Sequence, residues 1–275
     1  MTSSSPRSLS DWLNYIEALH PSEIEMGLER IKKVYRKLPQ FPENLAVVTV
    51  AGTNGKGSTV ASIEALAKSK GLSVGSYTSP HILTYNERVQ INQVPVSDDT
   101  LVNAFHLVES ARGDVQLTYF EFGTLAAFVI LAASEIDIAV LEIGLGGRLD
   151  AVNIVDPDVA VVTTVDMDHE GWLGTTREAI ATEKAGIVRK GATFICGDEN
   201  PPQALLDAAN IAQRSLMRGT QFDLLAMPGD RWQIRWQSKG NDRLMVLPDG
   251  LPVLPQNLLN GVQAFSELGY ELTDA

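Results

Sequence analysis

The stretch Val50-Ala51-Gly52-Thr53-Asn54-Gly55-Lys56-Gly57-Ser58-Thr59 gathers the residue types that phosphate chemistry needs. Glycines at 52, 55 and 57 let the backbone come close to an anion, so that loop amides and a helix N-terminus can point at it. Lys56 would bring a cation to the terminal phosphates, and Ser58 or Thr59 a hydroxyl to a bound metal. The spacing departs from G-x-x-x-x-G-K-[ST], because two residues rather than four separate Gly52 from Gly55 and Gly57 stands before the hydroxyl. A glycine-rich turn that binds nothing is the plainer alternative. The preceding β-branched run, the lysine and the hydroxyl together argue against it.

Other chemistry-bearing groups fall where apolar runs end. Ser79-Pro80-His81 follows Val74 to Thr78, and Asp166-Met167-Asp168-His169 follows Val159 to Val165. Residues at the carboxyl ends of parallel strands face the ligand crevice of an open α/β sheet. Glu142 interrupts the apolar run Ile138 to Ile143; an acid there is costly unless paired or metal-bound, with a salt bridge as the bland alternative. A hard Mg²⁺ prefers oxygen, so on chemistry alone an Asp is a more expected ligand than His169. The aromatic pair in Thr118-Tyr119-Phe120-Glu121 reads as core, and Ile24-Glu25-Met26-Gly27 reads as a turn between helices. There is no convincing Ser-His-Asp or Cys-His arrangement.

These groups need elements to hold them. A helix capped by Ser10 and a second over Glu25 to Leu38 precede the strand that feeds the glycine-rich loop. A helix over Val60 to Ala67, a strand over Val74 to Thr78 and a hairpin through Val94-Pro95-Val96 follow. Helices over Thr100 to Ser110, Thr118 to Ser134 and Thr176 to Val188 alternate with strands Ile138 to Ile143, Val159 to Val165 and Ala192 to Cys196. This alternation predicts an α/β fold, a mostly parallel sheet with helices on both faces. An Ala-rich helix from Pro201 to about Arg214 leads to a small antiparallel hairpin, Trp232 to Trp236 with Arg243 to Leu247. Asn260 is expected to cap a last helix through Leu268.

Composition bounds the partners. The chain has 275 residues, 44% hydrophobic and 20% charged, as suits a globular protein. Its net charge of −12, from 22 basic and 34 acidic residues, disfavours nonspecific binding to nucleic acid or an anionic membrane. Cys196 is the sole cysteine, which excludes an intramolecular disulfide and fits a cytoplasmic protein. No apolar run reaches the roughly 18 residues of a membrane span.

Taken together, the glycine-rich loop, Ser79-Pro80-His81 with Glu87-Arg88-Val89, Leu141 to Asp150, Asp168-His169 with Leu173-Gly174, and Glu183-Lys184-Ala185-Gly186-Ile187 resemble the dihydrofolate synthase/folylpolyglutamate synthase family of the Mur ligase superfamily. The resemblance spans about Leu9 to Leu268. It implies a P-loop-type Mur ligase central ATPase domain over residues 1–255, with 256–275 beginning a further, truncated glutamate-ligase domain. It also implies an ATP-dependent ligase, a monomer, that adds L-glutamate to dihydropteroate or a reduced folate through an acyl phosphate. Carried over residue by residue, Asn54, Gly55, Lys56, Gly57, Ser58 and Asn260 would hold ATP, with Asn257 as the competing asparagine. Ser79, Glu142 and His169 would bind Mg²⁺. Lys56, His169 and Lys184 would be catalytic, Lys184 as a carbamylated residue. Ile24, Glu25, Met26, Gly27, Thr118, Tyr119, Phe120, Glu121, Leu149, Asp150 and Ala151 would contact the pterin. Two alternatives stay open: a Mur-type ligase acting on a cell-wall precursor, and a nucleotide-binding module without ligase activity.

Overall fold

A computed structural model describes residues 8–20, 27–229 and 231–272. Helix α1 (Leu9–Glu17) starts two residues earlier than expected, because Ser8 and not Ser10 caps it: the Ser8 hydroxyl accepts from the Asp11 N–H while the Asp11 carboxylate accepts from the Ser8 N–H. Helix α2 (Glu29–Tyr35) is shorter than expected; Ile31 and Val34 are its buried face. The apolar run at Ala46 then forms β1 (Ala46–Ala51), and the glycine loop turns it into α3 (Lys56–Ser69). Next come β2 (Val74–Tyr77), a single 3₁₀ turn at Tyr85–Arg88, and the short hairpin β3 (Val89–Ile91) and β4 (Val94–Pro95).

Helix α4 (Asp98–Arg112) is capped by Ser97 and α5 (Tyr119–Ala133) by Thr118, whose capping box is closed by Glu121. Strand β5 (Ile138–Glu142) leads through a 3₁₀ turn at Ala151–Ile154 to β6 (Val159–Val162) and α6 (Glu170–Leu173). Helix α7 (Arg177–Ala185), strand β7 (Thr193–Cys196), helix α8 (Gln203–Ala209) and strand β8 (Arg214–Met217) complete the main sheet. Strands β9 (Asp223–Met227), β10 (Arg231–Ser238) and β11 (Asn241–Val246) and helix α9 (Pro255–Glu267) follow.

The eight strands of the main sheet run β4-β3-β2-β5-β1-β6-β7-β8. Pairing from β2 to β8 is parallel, and β3 and β4 attach antiparallel at one edge. Both faces are covered, so the central strands are buried on both sides. Val47 and Ala51 of β1 pack into one core with Trp12, Ile31, Phe105, Phe122, Phe128, Ile180 and Leu205. Val48 and Val50 point the other way, into a core with Val60, Ile63, Leu259, Val262 and Phe265.

Three expectations for the chain's second half change. The Ala-rich helix stops at Ala209, and Arg214–Met217 is a strand, since its backbone pairs with β7 over Thr193↔Arg214 to Cys196↔Met217. The small hairpin has a third strand, β9, paired with β10. Asn260 caps nothing: α9 begins at Pro255, whose missing N–H costs nothing at a helix start, and buries Asn260 in its middle. That helix lies across α3 and β10, and its Leu259, Val262 and Phe265 belong to the core beneath the main sheet.

Candidate active site

Strands β2, β5, β1 and β6 are sheet neighbours, so their carboxyl ends deliver Ser79, Glu142, the glycine loop and Asp166 to His169 to one crevice. The loop tolerates only glycine at two positions. Gly52 has φ +154°, and a Cβ there would lie 1.8 Å from Thr163 Oγ1; Gly55 has φ +82°, and a Cβ would lie 2.3 Å from Asn257 Oδ1. The end of β6 braces the loop. Thr53 N–H donates to Thr164 O (2.8 Å), Asn54 N–H to Thr164 Oγ1 (3.2 Å), and Thr163 Oγ1 to Asn54 O (2.6 Å). Lys56 Nζ reaches back to Gly52 O at 3.0 Å and Thr53 O at 3.4 Å, which holds the ammonium on its own loop.

Glu142 is buried at the end of β5, and its Oε2 accepts from Ser79 N–H at 3.3 Å. Burial pushes its carboxyl up to about 7, with the Lys56 charge opposing that shift. A Cβ at Gly57 would come 3.7 Å from the same Oε2, so the first turn of α3 lies directly against this carboxylate. Asp150 is buried too; it accepts from Leu145 N–H (2.7 Å) and Val152 N–H (2.9 Å), yet burial raises it to about 6. Lys184 is buried on α7 and lowered to about 8, by burial first and then by the Lys56 charge, with Asp168 opposing. The 144–150 segment is stapled to α7: Arg148 N–H donates to Glu183 O (2.8 Å), and a Cβ at Gly147 would strike that same oxygen at 2.7 Å.

A cavity of about 400 Å³ opens beside Lys56, Ser79 and Asp150. Lys56, Ser79 and His169 line it together with Gly27, Thr118, Phe120, Glu121, Leu149, Asp150 and Ala151, so the segments singled out by the family resemblance share one space with the phosphate loop. Tyr119 points elsewhere: it packs edge-on against Tyr85, with ring centroids 6.0 Å apart. Ile24, Glu25 and Met26 lie outside the described residues. His169 has a left-handed backbone (φ 47°) and a half-exposed imidazole 3.5 Å from Asp168 Oδ2. Among the described residues no three His, Cys, Asp or Glu side chains converge as metal ligands.

Of the two candidate asparagines, Asn257 rests on the phosphate loop at Gly55, whereas Asn260 packs on Gly197 beyond β7. A second, polar cavity of about 410 Å³ begins at Asn54 and runs past Asp166, Asp198, Asn200, Arg218 and Gln256. Sequence reasoning passed over Thr163 and Thr164, although their place at a strand's carboxyl end is the same signal that singled out Ser79. It also left Arg88, Gly144 and Leu145 of the main cavity without a role.

A glycine loop between a central parallel strand and a helix, with acidic residues at the carboxyl ends of the neighbouring strands, defines a nucleotide-binding α/β domain. The Mur ligase middle domain family matches residues 50–216, and the chain belongs to that family. It is 41% identical over 268 residues to the dihydrofolate synthase/folylpolyglutamate synthase of Escherichia coli, a match covering 97% of this chain and 62% of that protein. The Haemophilus influenzae protein of the same name is 41% identical over 262 residues, covering 95% of this chain and 58% of it. The chain thus spans about three fifths of the length of these relatives. Among solved structures, Escherichia coli FolC in complex with DHPP and ADP superposes with a TM-score of 0.89 at 38% identity, covering 99% of this chain and 65% of that one. The Yersinia pestis bifunctional folylpolyglutamate synthase/dihydrofolate synthase complexed with AMPPNP and Mn ion superposes at 0.87 and 39%, covering 100% of this chain and 66% of the other.

Proposed function

We propose that this chain carries the ATP site and pterin site of an ATP-dependent ligase that adds L-glutamate to dihydropteroate and to reduced folates through an acyl phosphate. The observation that carries this reading is the single cavity in which Lys56 and Ser79 share a wall with Thr118, Glu121 and Asp150. A carboxylate attached to a flat aromatic body at one end can reach a terminal phosphate at the other. In that reading Asn54, Gly55, Gly57 and Ser58 cradle the phosphates and Lys56 turns from its own loop to meet them. Asn257 takes the ATP contact in place of Asn260, because it touches the loop. The pterin contacts are Gly27, Thr118, Phe120, Glu121, Leu149, Asp150 and Ala151, with Ile24 to Met26 assigned by resemblance.

The residues present fit a hard divalent cation. Glu142 is a buried carboxylate whose pKa is raised by that burial, and Ser79, whose backbone N–H donates to it, carries the hydroxyl that would add a second oxygen donor. His169 on the cavity rim supplies a third ligand in this assignment. Bound Mg²⁺ would neutralise charge spread over the transferring phosphoryl oxygens. Lys184, buried with a lowered pKa, suits carbamylation, since only a neutral amine attacks CO₂. Residues 256–275 lead into the glutamate-ligase part of the longer relatives in this reading, and a monomer working in the cytoplasm, where ATP is available, completes it.

Phosphate release is the test. With dihydropteroate, ATP, Mg²⁺ and glutamate all present, a chain extended to the length of its relatives is expected to release phosphate and form dihydrofolate. Release that ignores dihydropteroate would favour the nucleotide-binding module, and release driven instead by a cell-wall precursor would favour the other ligase class.

A further inference from the structure

Arg88 stands apart from the other arginines. It is only 9% exposed and lines the main cavity. Among the described residues no carboxylate lies within ion-pair distance of it. By contrast, the largely buried side chain of Arg218 pairs with Glu199, while Arg30, Arg112 and Arg177 pair with Glu121, Glu109 and Asp198. A guanidinium is rarely taken out of water without a counter-ion.

The neighbours of Arg88 are neutral and hold it in place. Its Nε–H donates to His81 Nδ1 at 2.9 Å, which leaves that imidazole without a proton on Nδ1. The His81 pKa is lowered, by burial first and then by the Arg88 charge. The guanidinium carbon sits 5.3 Å from the ring centre of Tyr85 and 5.8 Å from that of Tyr119. Thr78 N–H donates to Arg88 O at 2.8 Å, which ties the residue to the end of β2, immediately before Ser79. The backbone, the ring faces, His81 and the Tyr77 hydroxyl therefore fix the fork, and the side chain so held lines the cavity.

We propose that Arg88 is the carboxylate receptor of this cavity: its guanidinium binds a carboxylate of the pterin-bearing substrate, as two parallel charge-assisted hydrogen bonds. The assignment rests on the function proposed above. The ligand has two sources of such a group, the benzoyl carboxylate of a pteroate and the glutamyl carboxylates of a folate. His81 is a positioning residue that sets the plane of the fork.

Calorimetric titration of the 275-residue chain with 6-hydroxymethylpterin, pteroate and pteroylglutamate tests this. Arg88→Gln is expected to weaken binding of the carboxylated ligands by about tenfold or more, the size of a lost charged hydrogen bond, and to leave hydroxymethylpterin unchanged. A loss confined to pteroate assigns the benzoyl group, and one confined to pteroylglutamate the glutamyl group. Equal weakening of all three ligands, or none, would overturn the proposal while leaving the pterin site standing. Failure of the wild-type chain to bind any pterin overturns the functional reading and this proposal with it. If Arg88→Gln does not fold, Arg88→Lys decides: charge without the fork is expected to give a smaller loss, again only for carboxylated ligands, and an equal loss for all three, or none, would overturn the assignment.

Discussion

The ionisable residues of the crevice are tuned against one another. Glu142 is held near neutrality by burial, and the lysine closest to relieving it, Lys56, is turned toward its own loop. A cation placed beside Glu142 would restore its full charge, so Glu142→Gln is expected to lower Mg²⁺-dependent turnover of the extended chain by about a hundredfold or more, the scale of losing one preorganised charge-stabilising group at a reacting centre. A magnesium titration of the variant checks this; an unchanged metal dependence would make Glu142 a structural acid. Lys184 has the opposite tuning. Its folded pKa is lowered to about 8, so the neutral amine gains population as pH rises through that value. At fixed dissolved CO₂, the ¹³C carbamate signal of labelled protein is expected to grow between about pH 7 and pH 9 and to vanish in Lys184→Ala. The glycine-loop chemistry was legible because backbone geometry dictates residue type there. Arg88 was not, because nothing in a linear sequence marks which arginine lacks an acid.

At the scale of elements, helix α3 couples the loop to the core. Its outer turn carries Lys56, and deeper along it Glu64 is buried against β2, with Oε1 lacking a partner and burial raising its pKa while the Ser76 hydroxyl opposes. A folded pKa above the unfolded one contributes stability that is present below the unfolded pKa and is lost as pH rises through the folded value. Glu64→Gln is therefore expected to raise Tm near pH 8 and to change it little near pH 4, as scanning calorimetry would show. A lower Tm at pH 8 would mean that the ionised carboxylate is stabilising. Element types along the parallel half could be read from apolar runs, because those strands are buried on both faces. The read failed at β8 and β9, whose short, partly polar stretches become strands only through the neighbours they pair with. It failed also at Asn260, where a cap-type residue sits in mid-helix, held by packing on Gly197.

At the scale of the whole molecule, the sheet order sets the function, since β1 lies between β5 and β6 and all three end at the same crevice. Helix α9 closes the far side by packing on α3 and carrying Asn257 to the loop. The central claim is that nucleotide and pterin occupy one continuous space, with the pterin's carboxylate directed at the phosphates. Paramagnetic relaxation measures this directly. With Mn²⁺ and AMPPNP on the chain, the benzoyl protons of added pteroate are expected to relax faster than the pterin-ring proton, an effect that Glu142→Gln should abolish. Faster relaxation of the pterin ring, or no Mn²⁺ effect on pteroate that demonstrably binds, would contradict the shared crevice and its orientation.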